Sequence, residues 1–155
     1  MTPSSADKAL IARRQRWVSV LAKTDPASLQ QLVEAFGLAP TYERLRGPET
    51  GLIMLQGRAG GTGAAFNLGE MTVTRCSVRL SDGTLGHSYV RGSDVAHSEV
   101  AAWLDALLQS PIHHEALSAA IIEPLAREAD ERRALAARKT AATRVDFFTL
   151  ASEVR

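Results

Sequence analysis

The spacing of hydrophobic positions changes twice along the chain and divides it into three parts. Over residues 7–23, Leu10, Trp17, Val20 and Leu21 recur at helical spacing around a middle crowded with Arg13, Arg14 and Arg16. Thr24-Asp25-Pro26 then stops one helix and starts another, since Asp25 suits an N-cap and Pro26 the first helical position. Leu29, Leu32, Val33 and Phe36 follow at i, i+3, i+4 and i+7, and Gly37 is a C-terminal stop. The pattern predicts a helical hairpin with one apolar stripe.

From Tyr42 the period shortens. Residues 51–59 (GLIMLQGRA) form a short apolar run bounded by glycine. Residues 70–80 (EMTVTRCSVRL) alternate, with Met71, Val73, Arg75, Ser77 and Arg79 on one face and Thr72, Thr74, Cys76, Val78 and Leu80 on the other. Ser81-Asp82-Gly83-Thr84 is a tight-turn signal and residues 85–91 read as the returning strand. An antiparallel meander of three or four strands is expected, with residues 42–46 as the possible fourth.

Helical spacing returns after Gly92-Ser93-Asp94. Val95, Val100, Trp103, Leu104, Leu107 and Leu108 form a stripe that Ser110-Pro111 ends. A second helix is expected over 112–122, and Pro124 starts or kinks a third over 125–142. That third helix has only Leu125 and Leu135 as large apolar residues, so it is either solvent-exposed or held by a partner. TRVDFFTL (143–150) reads as an apolar, extended tail. The order helices, strands, helices predicts an α+β fold: an antiparallel sheet of three to four strands flanked by an N-terminal helical hairpin and C-terminal helices. It is expected as a single domain over 1–155, with 1–12 a flexible N-terminus and 143–155 a docking tail.

Composition sharpens this picture at one point. The 155 residues are 45% hydrophobic and 23% charged, the profile of one soluble globular domain. Yet 25 are alanine and aromatics reach only 5%. A core this thin suggests that a partner completes some of the apolar surface. The net charge of +1 gives no reason to expect nucleic acid or membrane as a partner. With no apolar run of 18 residues and no apolar segment behind the N-terminus, the expected compartment is the cytoplasm. The single cysteine, Cys76, falls in the alternating run and reads as a buried thiol.

No complete catalytic constellation emerges from the residues. The stretch GRAGGTGAAFNLGE (57–70) invites an anion-binding reading of Gly60, Gly61, Thr62 and Gly63, because glycines let backbone N–H groups converge on an anion. It lacks the Lys-Ser/Thr of a Walker loop and the third glycine of a dinucleotide fingerprint, and a hairpin connection explains it equally well. His97-Ser98-Glu99 lacks the P-C-x-x-C that a zinc deaminase needs. His113 and His114 point about 100° apart on a helix, and His87 and His97 have no third ligand spaced to join them, so no metal is expected. Arg58, Arg75, Arg79 and Arg91 lie in or beside the strands, where they either hold an anion or a partner's carboxylates or form a solvated face. Arg58, Arg75 and His87 are the candidates for anion contact.

Taken together, RQRWVSVLA (14–22), residues 49–94 with G-R-x-G-G-T-G, T-V-T-R and D-G-T-L-G-H-S-Y-V, HSEVAAWLDALLQ (97–109) and TRVDFFTL (143–150) resemble the PhnG family, a subunit of the bacterial carbon–phosphorus lyase core complex. The likeness covers nearly all of 13–150 and departs at Gly92-Ser93-Asp94, where the family often carries Gly-Arg-Asp. The resemblance implies a subunit acting with a nucleosidase-like partner, another small subunit and an ATPase-like subunit. Together these displace adenine from ATP with an alkylphosphonate, forming ribose 1-alkylphosphonate 5-triphosphate; later subunits trim the triphosphate and break the C–P bond on an iron–sulfur cluster. One cysteine is too few for the cluster-bearing subunit, which needs at least three, and no Walker loop marks the chain as the ATPase. The expectation is a non-autonomous subunit in a hetero-oligomer, without a cofactor of its own. Either it supports ribosyl transfer structurally, or Arg58, Arg75 or His87 touches the triphosphate or phosphonate. Arg144, Val145, Asp146, Phe147 and Phe148 are expected to dock on another subunit, especially the nucleosidase-like one.

Overall fold

The computed structural model describes residues 5–143. Helices α1 (Ser5–Leu21) and α2 (Pro26–Phe36) form the hairpin, so residues 5–12 are helical. Asp25 caps α2 through its carboxylate, which accepts from Ser28 N–H at 3.1 Å, and Gly37 closes the helix at φ 72°, where a side chain would be strained. Three antiparallel strands follow in the order β1 (Tyr42–Arg58), β2 (Ala65–Leu80), β3 (Leu85–Arg91). Then come α3 (Val95–Leu108), α4 (Pro111–Leu117) and α5 (Glu123–Ala142), with one π-helical turn, Ser118–Ile122, between the last two.

The α+β expectation holds, and the strand count resolves to three. Residues 42–46 are the first part of one 17-residue strand, not a strand of their own. Register shifts at Arg44/Arg46 and Arg46/Glu49 let β1 bend past Gly47-Pro48 without ending, as bulges do. Pro124 does not break the third helix, because it lies in its first turn, where its missing N–H costs nothing.

One face of the sheet carries Cys76, Val78, Leu80 and Val90 onto α3, whose Ala101, Ala102, Leu104, Ala106 and Leu108 are buried. Gly86 makes this approach possible: a Cβ there would lie 2.0 Å from the carbonyl oxygen of Ala102. Trp17 and Leu21 of α1, Leu29 and Val33 of α2, and Leu117, Ile121, Ile122 and Leu125 complete the core. Val95 is the exception to the predicted α3 stripe and stands exposed: it is the first residue of the helix, whose buried positions begin at His97. In its place α3 buries His97, whose Nε2 pairs with the carbonyl oxygen of Leu21 at 2.8 Å.

Asp105 of α3 ties the layers together. Its carboxylate, 1% exposed, accepts from Arg14 Nε (3.0 Å) and Nη2 (2.6 Å), from Trp17 Nε1 (2.9 Å) and from His87 N–H (2.9 Å). One buried side chain thus joins α1, β3 and α3.

Candidate functional site

The strands differ greatly in length, and that difference builds the most distinctive surface. β3 pairs with β2 only from Val73 to Arg79. Residues 65–72 of β2 therefore pair with β1 alone, and the two strands project as a ribbon of about 25 Å at 3.3 Å per residue. Ile53 pairs opposite Met71 and Gly57 opposite Phe66, which puts Ile53, Leu55, Phe66, Leu68 and Met71 on one face. Leu52 and Met54 lie on the other. Gly57 leaves room for the Phe66 ring, whose Cζ would sit 3.4 Å from a Cβ at that position. Leu52, Met54, Phe66 and Leu68 are 63%, 53%, 47% and 66% exposed. Along residues 51–57 and 65–72 the only charged side chain is Glu70. A surface patch of this kind is rarely left open on a protein that works alone.

The glycine stretch forms the tip of this arm. Gly60 and Gly61 take φ of 59° and 83° in a single 3-10 turn, a left-handed geometry that only glycine adopts without cost. Gly63 N–H donates to the carbonyl oxygen of Ala59 at 2.8 Å, and Arg58 Nη1 reaches back to the carbonyl oxygen of Gly63 at 3.2 Å. The hairpin connection thus accounts for Gly63, while Gly60, Gly61 and Thr62 are exposed at the end of the arm.

Arg75 and His87 lie elsewhere, on the open face of the sheet at the root of the arm. Ten residues of β2 separate Arg75 from the residue paired with Arg58, about 33 Å along the strand. The seven predicted anion contacts therefore fall into two groups, the tip and the root. At the root, glutamates of β1 occupy the arginines: Glu49 accepts from Arg75 at 3.0 Å and lies 3.7 Å from Arg46, and Glu43 accepts from Arg79 at 2.6 Å. The His87 ring pairs through Nδ1 with Ser77 Oγ at 2.9 Å. Glu43 falls in the expected short segment 42–46 and Glu49 in the gap before residue 51, so the sequence pattern pointed to the arginines without the register that pairs them with these glutamates. His87 and His97 are not neighbours, since His87 faces solvent while His97 is buried beneath α1.

A second polar cluster joins β1 to α3. Glu99 accepts from Tyr42 Oη at 2.7 Å and from Arg44 Nε. Burial works to raise the Glu99 carboxyl, but the bonds from Arg44 and Tyr42 outweigh it and hold it below the ordinary carboxylate range. Nearby, Cys76 is buried, donates to the carbonyl oxygen of Arg46 at 3.4 Å, and has its thiol pKa pushed up, chiefly by desolvation. It is a packed thiol, as its place in the alternating run predicts. Among the described residues no three His, Cys, Asp or Glu side chains gather where they could hold a metal ion, and no helix is long and apolar enough to cross a membrane. Residues 144–148, the predicted docking segment, lie outside the described residues.

Fold and surface together define an α+β domain with a three-stranded sheet backed by helices and a long apolar arm built from its first hairpin. The chain belongs to the PhnG family: the model of that family, described as "Phosphonate metabolism protein PhnG", matches residues 12–152. Among curated proteins, the chain is 44% identical over 147 residues to the "Alpha-D-ribose 1-methylphosphonate 5-triphosphate synthase subunit PhnG" of Rhizobium meliloti (strain 1021), covering 94% of this chain and 93% of that protein. The resemblance read from the motifs is thereby established.

Proposed function

We propose that this chain is a subunit of an alpha-D-ribose 1-methylphosphonate 5-triphosphate synthase, acting in phosphonate catabolism in the cytoplasm as a non-autonomous member of the carbon–phosphorus lyase core complex. In the reaction it supports, a phosphonate oxygen bonds to C1′ of ATP, the C1′–N9 bond breaks, and adenine leaves with that electron pair and a proton. The observation that carries the reading is the arm, apolar on both faces and nearly free of charge, which suits permanent burial in another subunit. The near full-length likeness to a protein named as such a subunit supports it. The nucleosidase-like subunit is the proposed host, and the segment Arg144–Phe148 a second point of attachment.

The test is co-expression with the other core subunits. Leu52→Glu with Leu68→Glu should leave the helix-backed body folded, because neither side chain reaches the core, yet should abolish co-purification and adenine release by the complex. Unchanged co-purification would refute docking through the arm.

A second reading is favoured by the tip. Arg58 has no carboxylate partner among the described residues, and it stands beside two left-handed glycines at the end of the arm. Docked in a partner, this tip would contribute Arg58 and the N–H groups around Gly60–Gly63 to an anion there. Arg58→Gln would then lower turnover of the assembled complex without releasing the subunit, whereas a purely structural arm predicts no effect.

A further inference from the structure

The basic cleft between the α1–α2 corner, the end of β3 and α5 carries chemistry that docking leaves unused. Its walls include Lys23, Thr24, Asp25, Arg91, Arg132 and Arg133, and its volume is about 540 Å³, within the range of small-molecule sites. Four cations face one carboxylate, and that carboxylate is committed to capping α2.

The partners of these cations set the cleft apart from the rest of the surface. Arg14, Arg16, Arg44, Arg75 and Arg79 each pair with a carboxylate from another element. In the cleft, Arg91 has no carboxylate partner among the described residues, and Lys23 Nζ has only Ser19 Oγ at 3.0 Å. Arg132 and Arg133 pair only within α5, with Glu128 at 2.8 Å and Asp130 at 2.9 Å. Such exposed pairs along one helix are weak and readily give way to a more highly charged anion. The wall also contains Thr24, 6% exposed, whose hydroxyl has no hydrogen-bond partner in the protein. A buried hydroxyl without a partner in the protein is unusual, and this one belongs to a residue of the cleft wall. The corner is held in place, because Arg91 N–H donates to the carbonyl oxygen of Ala22 at 3.0 Å.

We propose that this cleft binds the triphosphate group of a nucleoside or ribose triphosphate, with Lys23 and Arg91 as its principal contacts and Arg132 and Arg133 closing over it from α5. The assignment rests on the subunit reading for its choice of triphosphate over other anions. The cleft would hold the charged end of the molecule while the sugar lies in a neighbouring subunit, so the chain would contribute affinity, not bond-making.

The experiment is calorimetric titration of the full chain with inorganic tripolyphosphate, ATP and adenosine, repeated with Lys23→Gln/Arg91→Gln. Tripolyphosphate and ATP should both bind, with affinity falling as salt rises, and adenosine should not. The double variant should lose about tenfold or more in affinity for both, since charge-assisted bonds are the strong ones. Equal affinity for the two would show that the triphosphate alone is read, and tighter ATP binding that the nucleoside adds contacts; both support the site. Absence of tripolyphosphate binding by the unaltered chain, or undiminished binding by the double variant, would overturn it. The double variant should still co-purify with the other core subunits. Loss of arm docking with intact tripolyphosphate binding would defeat the subunit reading and leave the cleft standing.

Discussion

Asp105 offers the sharpest test of how the fold is held. It receives four hydrogen bonds while almost wholly buried, and three of its donors differ in what they lose when it goes. Asp105→Ala strands the Trp17 indole N–H and the His87 backbone N–H inside the protein, at about 1–3 kcal/mol for each unsatisfied buried donor. Arg14 is 36% exposed and recovers part of its hydration, so its share is small. The two donors together come to about 2–6 kcal/mol, a range that encloses the usual cost of breaking a buried pair by removing one partner, about 3–5 kcal/mol. For a domain of this size that lowers the melting temperature by roughly 6–20 °C, at about 2–4 °C per kcal/mol. Asp105→Asn should fall between: an oriented amide keeps the oxygen that Trp17 and Arg14 Nε share, but presents N–H to the Arg14 Nη2 and His87 donors. Circular dichroism melts and urea unfolding of the three proteins measure the order. If Asp105→Ala melts within about 2 °C of the parent, corresponding to less than ~1 kcal/mol, the carboxylate is not the tie described.

Three further outcomes are expected. Gly86→Ala drives a methyl group into α3, where the nearest atom is backbone, so it should destabilise by about 1–3 kcal/mol or prevent folding; a melt like the parent's would show that α3 can retreat. Because Glu99 titrates below its unfolded value, it contributes stability that is complete above the ordinary carboxylate range and lost as pH falls through its lower folded pKa. Glu99→Gln should therefore flatten the fall in melting temperature on acidification below about pH 4.3, and an unchanged slope would refute the contribution. Phe147→Ala with Phe148→Ala should leave the melt of the isolated chain intact and abolish co-purification with the nucleosidase-like subunit; a collapsed melt would make the tail part of the core.

The helices and their ends were legible because their signals are local. Asp25, Pro26 and Gly37 act on backbone groups within one turn, and each does in the structure what its chemistry predicts. Strand β1 was harder, because the pattern breaks at Gly47-Pro48, where bulges let the ladder continue through residues that carry no alternation. Pairing with β2 decides that continuity, and a partner some 25 residues away leaves no mark on the local period. The candidate site divided in the same way. Arg75 and His87 were visible as residue types, but their occupation by Glu49 and Ser77 depends on register. Leu52 and Met54 were visible only as part of a short apolar run, and Phe66 and Leu68 sat inside the glycine-rich stretch; the short length of β3 leaves all four exposed. Lys23, Arg91, Arg132 and Arg133 come from three separate stretches, and only the packing of α5 brings them to one cleft.

The unequal strands also bear on how the protein must be made. Beyond Val73 the ribbon has both long edges open, with β1 unpaired on one side and residues 65–72 on the other, and it lacks the lysines, prolines and short strands that usually keep such edges from joining. Two copies meeting edge to edge can extend the ladder, and each new copy presents another free edge, so growth does not terminate. Solubility then becomes a race between capture by the intended host and self-templating, with a rate that rises with the concentration of unclaimed chain. A cell that uses this arm gains from producing the chain in step with its host, and a chain made without one should self-associate increasingly as its concentration rises, staying dispersed when dilute.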